Sequence, residues 1–130
     1  MNCLRNWWTH IKTLLIIGAC MLALDGVYLY LTSAGFRKMI EAIQGKAISL
    51  RYLGIVLCYI LLPIGLYYFI VSERRTPAEA FLLGVVIYGV YDTTNYATLS
   101  GWKWNLALID TLWGGTLFAA TTAIVYRLLG

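Results

Sequence analysis

The chain has 130 residues, and 61% of them are hydrophobic whereas only 12% are charged. Soluble domains carry about 25% charged residues, and a chain this short has a large surface to cover. The composition therefore excludes a soluble monomer, a disordered tail and a nucleic-acid-binding module. The net charge is +4, and the basic residues lie between apolar runs. That placement favours contact with lipid headgroups and makes the bilayer the expected partner of the chain.

Four long apolar segments follow one another along the chain. At about 1.5 Å per residue, a helix formed by each segment would cross the roughly 30 Å core of a bilayer. Backbone groups in lipid must form their hydrogen bonds within the segment. We therefore predict an all-helical fold, a bundle of four transmembrane helices in one domain covering residues 1–130. The predicted spans are 13–31, 52–71, 78–99 and 104–126.

The connection between the first two spans is the long one, and it has a pattern of its own. Apolar residues recur at i, i+3, i+4 and i+7 from Phe36 to Ile43, with charged and polar residues on the other face. This periodicity predicts a short amphipathic helix over about 35–44 that lies in the headgroup layer. We expect Gly45 to end it.

The orientation of the bundle is not decided by counting charges. Four spans place both termini on one side, and the ten basic residues then divide equally between the two sides. The pair Arg74 and Arg75 in one very short connection favours termini on the cytoplasmic side.

Aromatic residues mark the predicted membrane boundaries. Trp102 and Trp104 flank the entry to the fourth span, which is the position of an interfacial aromatic belt. Trp113 lies deeper and is the exception. We interpret Tyr59, in the second span, as a packing residue.

Three of the six acidic residues fall deep within predicted spans: Asp25, Asp92 and Asp110. An ionised side chain at that depth costs about 2.5–3.5 kcal/mol on insertion scales, and no Lys or Arg shares a span with these acids. Counting along antiparallel helices puts all three about 9–11 Å below the same membrane surface. Unrelated acids have no reason to share a depth, so we predict that they line one polar site.

Neighbouring residues extend this site. Tyr88, Asp92 and Asn95 fall on one helical face, whereas Tyr28 and Trp113 each lie one turn from an aspartate. The candidate residues for binding a ligand or ion are Asp25, Tyr28, Tyr88, Asp92, Asn95, Asp110 and Trp113.

Two interpretations of these acids remain open. They form a site that binds or translocates a cation, a proton or a small polar ligand, or they hold the helices of a structural or accessory subunit together by hydrogen bonds. A chain this small would need to form a homo-oligomer to make a pore, or to join a larger membrane complex. A lipid-modifying enzyme with an aspartate as general base is a third hypothesis, but no catalytic set accompanies it. With one histidine and three scattered cysteines, no metal site is predicted, and no cofactor is indicated.

Three stretches carry a resemblance to a known family: 24–29 (LDGVYL), 91–102 (YDTTNYATLSGW) and 110–114 (DTLWG). Together they resemble the small predicted membrane proteins grouped as domain of unknown function 2177, over roughly residues 15–126. The resemblance implies a four-helix membrane protein with the three aspartates among its hallmark residues. It also implies a bacterial inner membrane, or a viral or host membrane, and no particular activity.

Overall fold

The computed structural model describes residues 2–129, with side chains from residue 6 onward. Every regular element in this range is helical, as predicted. The elements are α1 (Asn2–Gln44), α2 (Tyr52–Leu66), a π-helical segment (Tyr67–Val71) that continues α2, α3 (Pro77–Thr98) and α4 (Trp104–Leu129).

Three stretches of the described chain are long and apolar enough to cross a membrane: Asn6–Gln44, Tyr52–Val71 and Trp104–Leu129. The remaining helix, α3, is not among them. Its last two turns gather Asp92, Asn95 and several threonines, and these residues lower its hydropathy. The all-helical class is thus confirmed, and three of the four helices qualify as spans by length and composition.

Helix α1 departs from the prediction. Residues 35–44 are helical, but they continue α1 without a break, so the prediction of a separate surface helix was wrong. The apolar stripe of this stretch packs against protein: Met39 lies in a buried cluster with Trp102 and Ala107, and its Sδ accepts a hydrogen bond from the Lys103 backbone N–H at 3.1 Å. The helix ends at Gly45 as expected, because the backbone there adopts φ +73°, which favours glycine.

The closest helix pair is α3 with α4, and glycines make the close approach possible. A Cβ atom added at Gly84 would lie 2.2 Å from the carbonyl oxygen of Gly114, and one added at Gly115 would lie 2.7 Å from the Phe81 ring. Neither clash can be relieved without moving a helix or a packed ring. Small residues at such a crossing let two backbones pack directly on each other.

Helix α1 packs along α4, and α2 packs mainly on α1. Four fully buried side chains form the centre of the α1–α4 contact: Ile17, Met21, Leu117 and Phe118. At one end of the bundle, a shared cleft brings together Lys12 of α1, Tyr67 of the π-helical segment and Tyr126 of α4. The Met39–Trp102 cluster marks the opposite end, which we call the loop end.

Candidate functional site

Asp25 of α1 is buried and has a hydrogen-bond donor for each carboxylate oxygen. The indole N–H of Trp113 donates to Oδ1 at 2.9 Å, and the hydroxyl of Tyr59 donates to Oδ2. Only 7% of Asp25 is exposed. Three helices, α1, α2 and α4, therefore meet at this one carboxylate.

The role of Tyr59 was missed by the sequence interpretation, which treated it as packing. The signal was available. Tyr59 lies seven residues after the start of α2 at Tyr52, which corresponds to a depth of about 10 Å at 1.5 Å per residue. That is the depth assigned to the aspartates, so the same counting applied to α2 would have placed Tyr59 beside them.

Asp110 of α4 is joined to α1 through Tyr28. The Tyr28 hydroxyl donates to Oδ1 of Asp110 at 3.0 Å. The Tyr28 ring stacks on the indole of Trp113, with ring centroids 4.8 Å apart and planes 11° from parallel. The stack connects the two hydrogen bonds of Asp25 with the one from Tyr28 to Asp110 in one continuous group of side chains.

Asp92 of α3 differs from the other two acids. Its side chain is fully buried, and neither carboxylate oxygen has a hydrogen-bond partner among the described residues. The carboxyl group of Asp110, the indole N–H of Trp102 and the hydroxyl group of Thr111 lie near it, but none of them has the distance and angle of a hydrogen bond. A buried polar group without a partner is costly, so this carboxyl group is the unusual feature of the bundle.

Trp102 was expected in an interfacial aromatic belt, and the structure corrects this. The residue is only 6% exposed, because the extended end of α1 covers it. Its ring packs edge-to-face on Tyr91 at 6.1 Å. Its indole N–H is buried without a hydrogen-bond partner in the described part of the chain. The Trp102 side chain lies close to Asp92. No residue pattern indicated that α1 would reach so far.

The remaining candidate residues lie further from the hydrogen-bonded group. Tyr88 fits its ring against Gly114 and packs edge-to-face on Phe118 at 6.4 Å. Asn95 is half-buried beside the hydroxyl group of Tyr91. Tyr88 thus shapes the wall around the acids, whereas Asn95 is placed next to Tyr91 on α3.

An open cleft of about 420 Å³ leads from the outside of the bundle to Asp110. It runs between α2 and α3. These two helices contact each other little, because α2 packs mainly on α1. The lining residues are Cys58, Leu62, Ile87, Tyr88, Tyr91 and Asp110. Asp110 is therefore the accessible member of the acid pair, and Asp92 is the enclosed one.

The acids lie far from basic residues along the chain. No Lys or Arg occurs within 13–36, 52–73, 76–102 or 104–126. The ion pair at 3.6 Å joins Arg75, in the connection between α2 and α3, to Glu79, in the first turn of α3. Across residues 6–129, no three His, Cys, Asp or Glu side chains gather closely enough to hold a metal ion.

Long apolar helices joined by short connections, with acids buried between them, define a membrane protein. In agreement with this class, residues 10–127 match the family described as "Predicted membrane protein (DUF2177)", and the chain belongs to that family. No curated protein and no solved structure matched the chain.

Proposed function

We propose that this protein is a four-span integral membrane protein that binds a cation inside the bilayer, at the pair formed by Asp92 and Asp110. When no other cation is bound, the pair holds a proton. The proposal is carried by one observation: the fully buried carboxyl group of Asp92 lies beside Asp110 and has no hydrogen-bond partner among the described residues.

Electrostatic repulsion disfavours two ionised carboxylates at this position. Two unit charges about 4 Å apart interact by about 4 kcal/mol at an effective dielectric constant of 20. Removing each carboxylate from water adds a further cost of several kcal/mol. With no basic side chain in the spans to offset these costs, one positive charge must accompany the pair. Carboxylates in such pairs share a proton, which a competing cation can replace.

The fourth span in this proposal is α3. Its 22 residues run along α4 through the Gly84–Gly114 contact. On its outer face, Leu82, Val86 and Val90 are 51–63% exposed, which is an apolar surface suited to lipid. Asp92, one of the residues that lower the hydropathy of α3, is buried inside the bundle, so it does not prevent α3 from facing the bilayer.

Asp25 takes the other role that the sequence left open. Both of its oxygens are hydrogen-bonded, and its two donors come from two other helices. Such a carboxylate ties a bundle together, as polar side chains commonly do between membrane helices. In this proposal, the structural and the binding interpretations apply to different aspartates.

Substituting each acid by asparagine tests this division. The amide introduced by Asp92→Asn would mimic the protonated carboxyl group. At neutral pH this variant is therefore expected to unfold in mixed detergent micelles at the same mole fraction of denaturing detergent as the wild type. Asp25→Asn, the matched comparison, is expected to lose about 1–2 kcal/mol, because its carboxylate accepts two hydrogen bonds. Destabilisation of Asp92→Asn equal to that of Asp25→Asn would contradict the proposal.

A further inference from the structure

We infer that the cation taken by the acid pair is an organic ammonium ion with an apolar body, and that it reaches Asp110 from the lipid through the cleft between α2 and α3. This inference rests on the proposed function and adds the class of ligand and its route. Three observations support it in turn: the composition of the cleft walls, their depth in the bundle, and the charge at the base.

The walls of the cleft are apolar and aromatic. Cys58 and Leu62 of α2 form one side, and Ile87 and Tyr91 of α3 form the other. Tyr91 is 56% exposed and Ile87 is 36% exposed, so the mouth of the cleft is open. A volume of about 420 Å³ accommodates an organic group and not merely a bare ion.

The cleft opens at the depth of the acids. Cys58 is adjacent in sequence to Tyr59, whose hydroxyl bonds to Asp25. The mouth therefore faces acyl chains, about 10 Å below the surface at the loop end. A hydrated inorganic ion does not travel through hydrocarbon, whereas a cation with an apolar body partitions into the membrane interface and its apolar boundary.

The base of the cleft supplies the complementary charge. Of the described residues that line the cleft, Asp110 alone is charged, and none is basic. The side chains of Tyr88 and Tyr91 also line the cleft, so aromatic rings flank the route of an ammonium group to the carboxylate. A neutral acyl chain would fill the walls but leave Asp110 unused, so charge complementarity selects a cationic occupant.

Cys58 provides a reporter inside the cleft. The full-length protein with the substitutions Cys3→Ser and Cys20→Ala would be placed as single copies in lipid nanodiscs, and the rate of Cys58 alkylation by N-phenylmaleimide measured. Benzyltrimethylammonium is the probe. Neopentylbenzene, which has carbon in place of the charged nitrogen, is its neutral control. We expect saturating benzyltrimethylammonium to slow alkylation about tenfold and the neutral compound to have no effect, since the two differ only in charge.

Three variants sharpen the assay. Asp110→Asn is expected to abolish protection because it removes the charge. In case that variant does not fold, Ile87→Trp would fill the cleft, so Cys58 should be alkylated slowly whether or not benzyltrimethylammonium is present. Leu82→Trp, on the exposed face of α3, would leave protection by benzyltrimethylammonium intact.

Three results would overturn this inference. Equal protection by both compounds would indicate a groove for lipid chains. No protection by either would show that the cleft takes no such cation. If alkylation is slow in liposomes but fast in single-copy nanodiscs, with or without either compound, the cleft is covered by a second copy of the chain.

Failure of this inference can be told from failure of the proposed function. If protection fails while Asp92→Asn remains as stable as the wild type, the acid pair stands and only the ligand class is wrong. If Asp92→Asn is destabilised, the proposed function itself fails.

Discussion

Tyr28 of α1 and Trp113 of α4 stack face to face, and each donates a hydrogen bond to the aspartate of the other's helix. Trp113 donates to Asp25 of α1, and Tyr28 donates to Asp110 of α4. Each helix thus contributes one acid and one aromatic donor to a reciprocal clamp. The arrangement fixes the register of the two helices, because sliding either one would break both hydrogen bonds.

Removing one arm of this clamp is expected to weaken the bundle measurably. Tyr28→Phe keeps the stacked ring but loses the hydrogen bond to Asp110, which for polar contacts between membrane helices is worth about 0.6–1.7 kcal/mol. The measurement is equilibrium unfolding in mixed detergent micelles. Tyr30→Phe, at a position on the same helix that is 84% exposed, is the control and should leave stability unchanged. Equal stability of all three proteins would show that the hydrogen bond contributes nothing.

The two donors to Asp25 should act together. Trp113→Phe and Tyr59→Phe each leave one carboxylate oxygen of Asp25 without its partner, whereas the double variant leaves the buried carboxylate with neither. We expect the double variant to lose more free energy of unfolding than the sum of the single losses, because a buried polar group without any hydrogen-bond partner is disproportionately costly. A double loss no larger than the larger single loss would contradict this role of Asp25.

The contact between α3 and α4 should be intolerant of a single methyl group. Gly84→Ala places a Cβ atom 2.2 Å from the Gly114 carbonyl oxygen, so the helices must separate. Overpacking of this kind costs about 1–3 kcal/mol or more. Gly54→Ala, where nothing lies within 4 Å of the added atom, is the matched control in α2 and should be neutral or slightly stabilising. Similar unfolding of both variants would mean that α3 and α4 are not packed this closely.

Much of this architecture could be predicted from residue patterns. The predicted second and fourth spans start at Tyr52 and Trp104, where α2 and α4 begin, because apolar runs and polar connections mark helices in lipid. Depth counting predicted that Asp25, Asp92 and Asp110 lie at one level, since helical rise is constant. The continuation of α1 past residue 31 was not predictable, because periodicity shows that one helix face is apolar but not whether it meets lipid or protein. The contribution of Trp102 to the surroundings of Asp92 follows from that same continuation.

The membrane topology of α3 can be tested without reference to ligand. If α3 is a span, the connections before and after it lie on opposite sides of the membrane. Ser72→Cys and Ser100→Cys, each introduced after the native cysteines are replaced, should therefore label from opposite sides with a membrane-impermeant maleimide in oriented vesicles. Labelling of both positions from the same side would show that α3 does not cross.

The most direct test of the acid pair is infrared difference spectroscopy of the purified protein at neutral pH, in a buffer whose only cation is too hydrophilic to enter the cleft. We predict the carbonyl stretching band of a protonated carboxyl group in the wild type, its loss in Asp92→Asn, and its retention in Glu79→Gln, which alters an exposed acid. A wild-type spectrum without that band would mean that every carboxyl group is ionised, and it would contradict the proposed proton on Asp92 and Asp110.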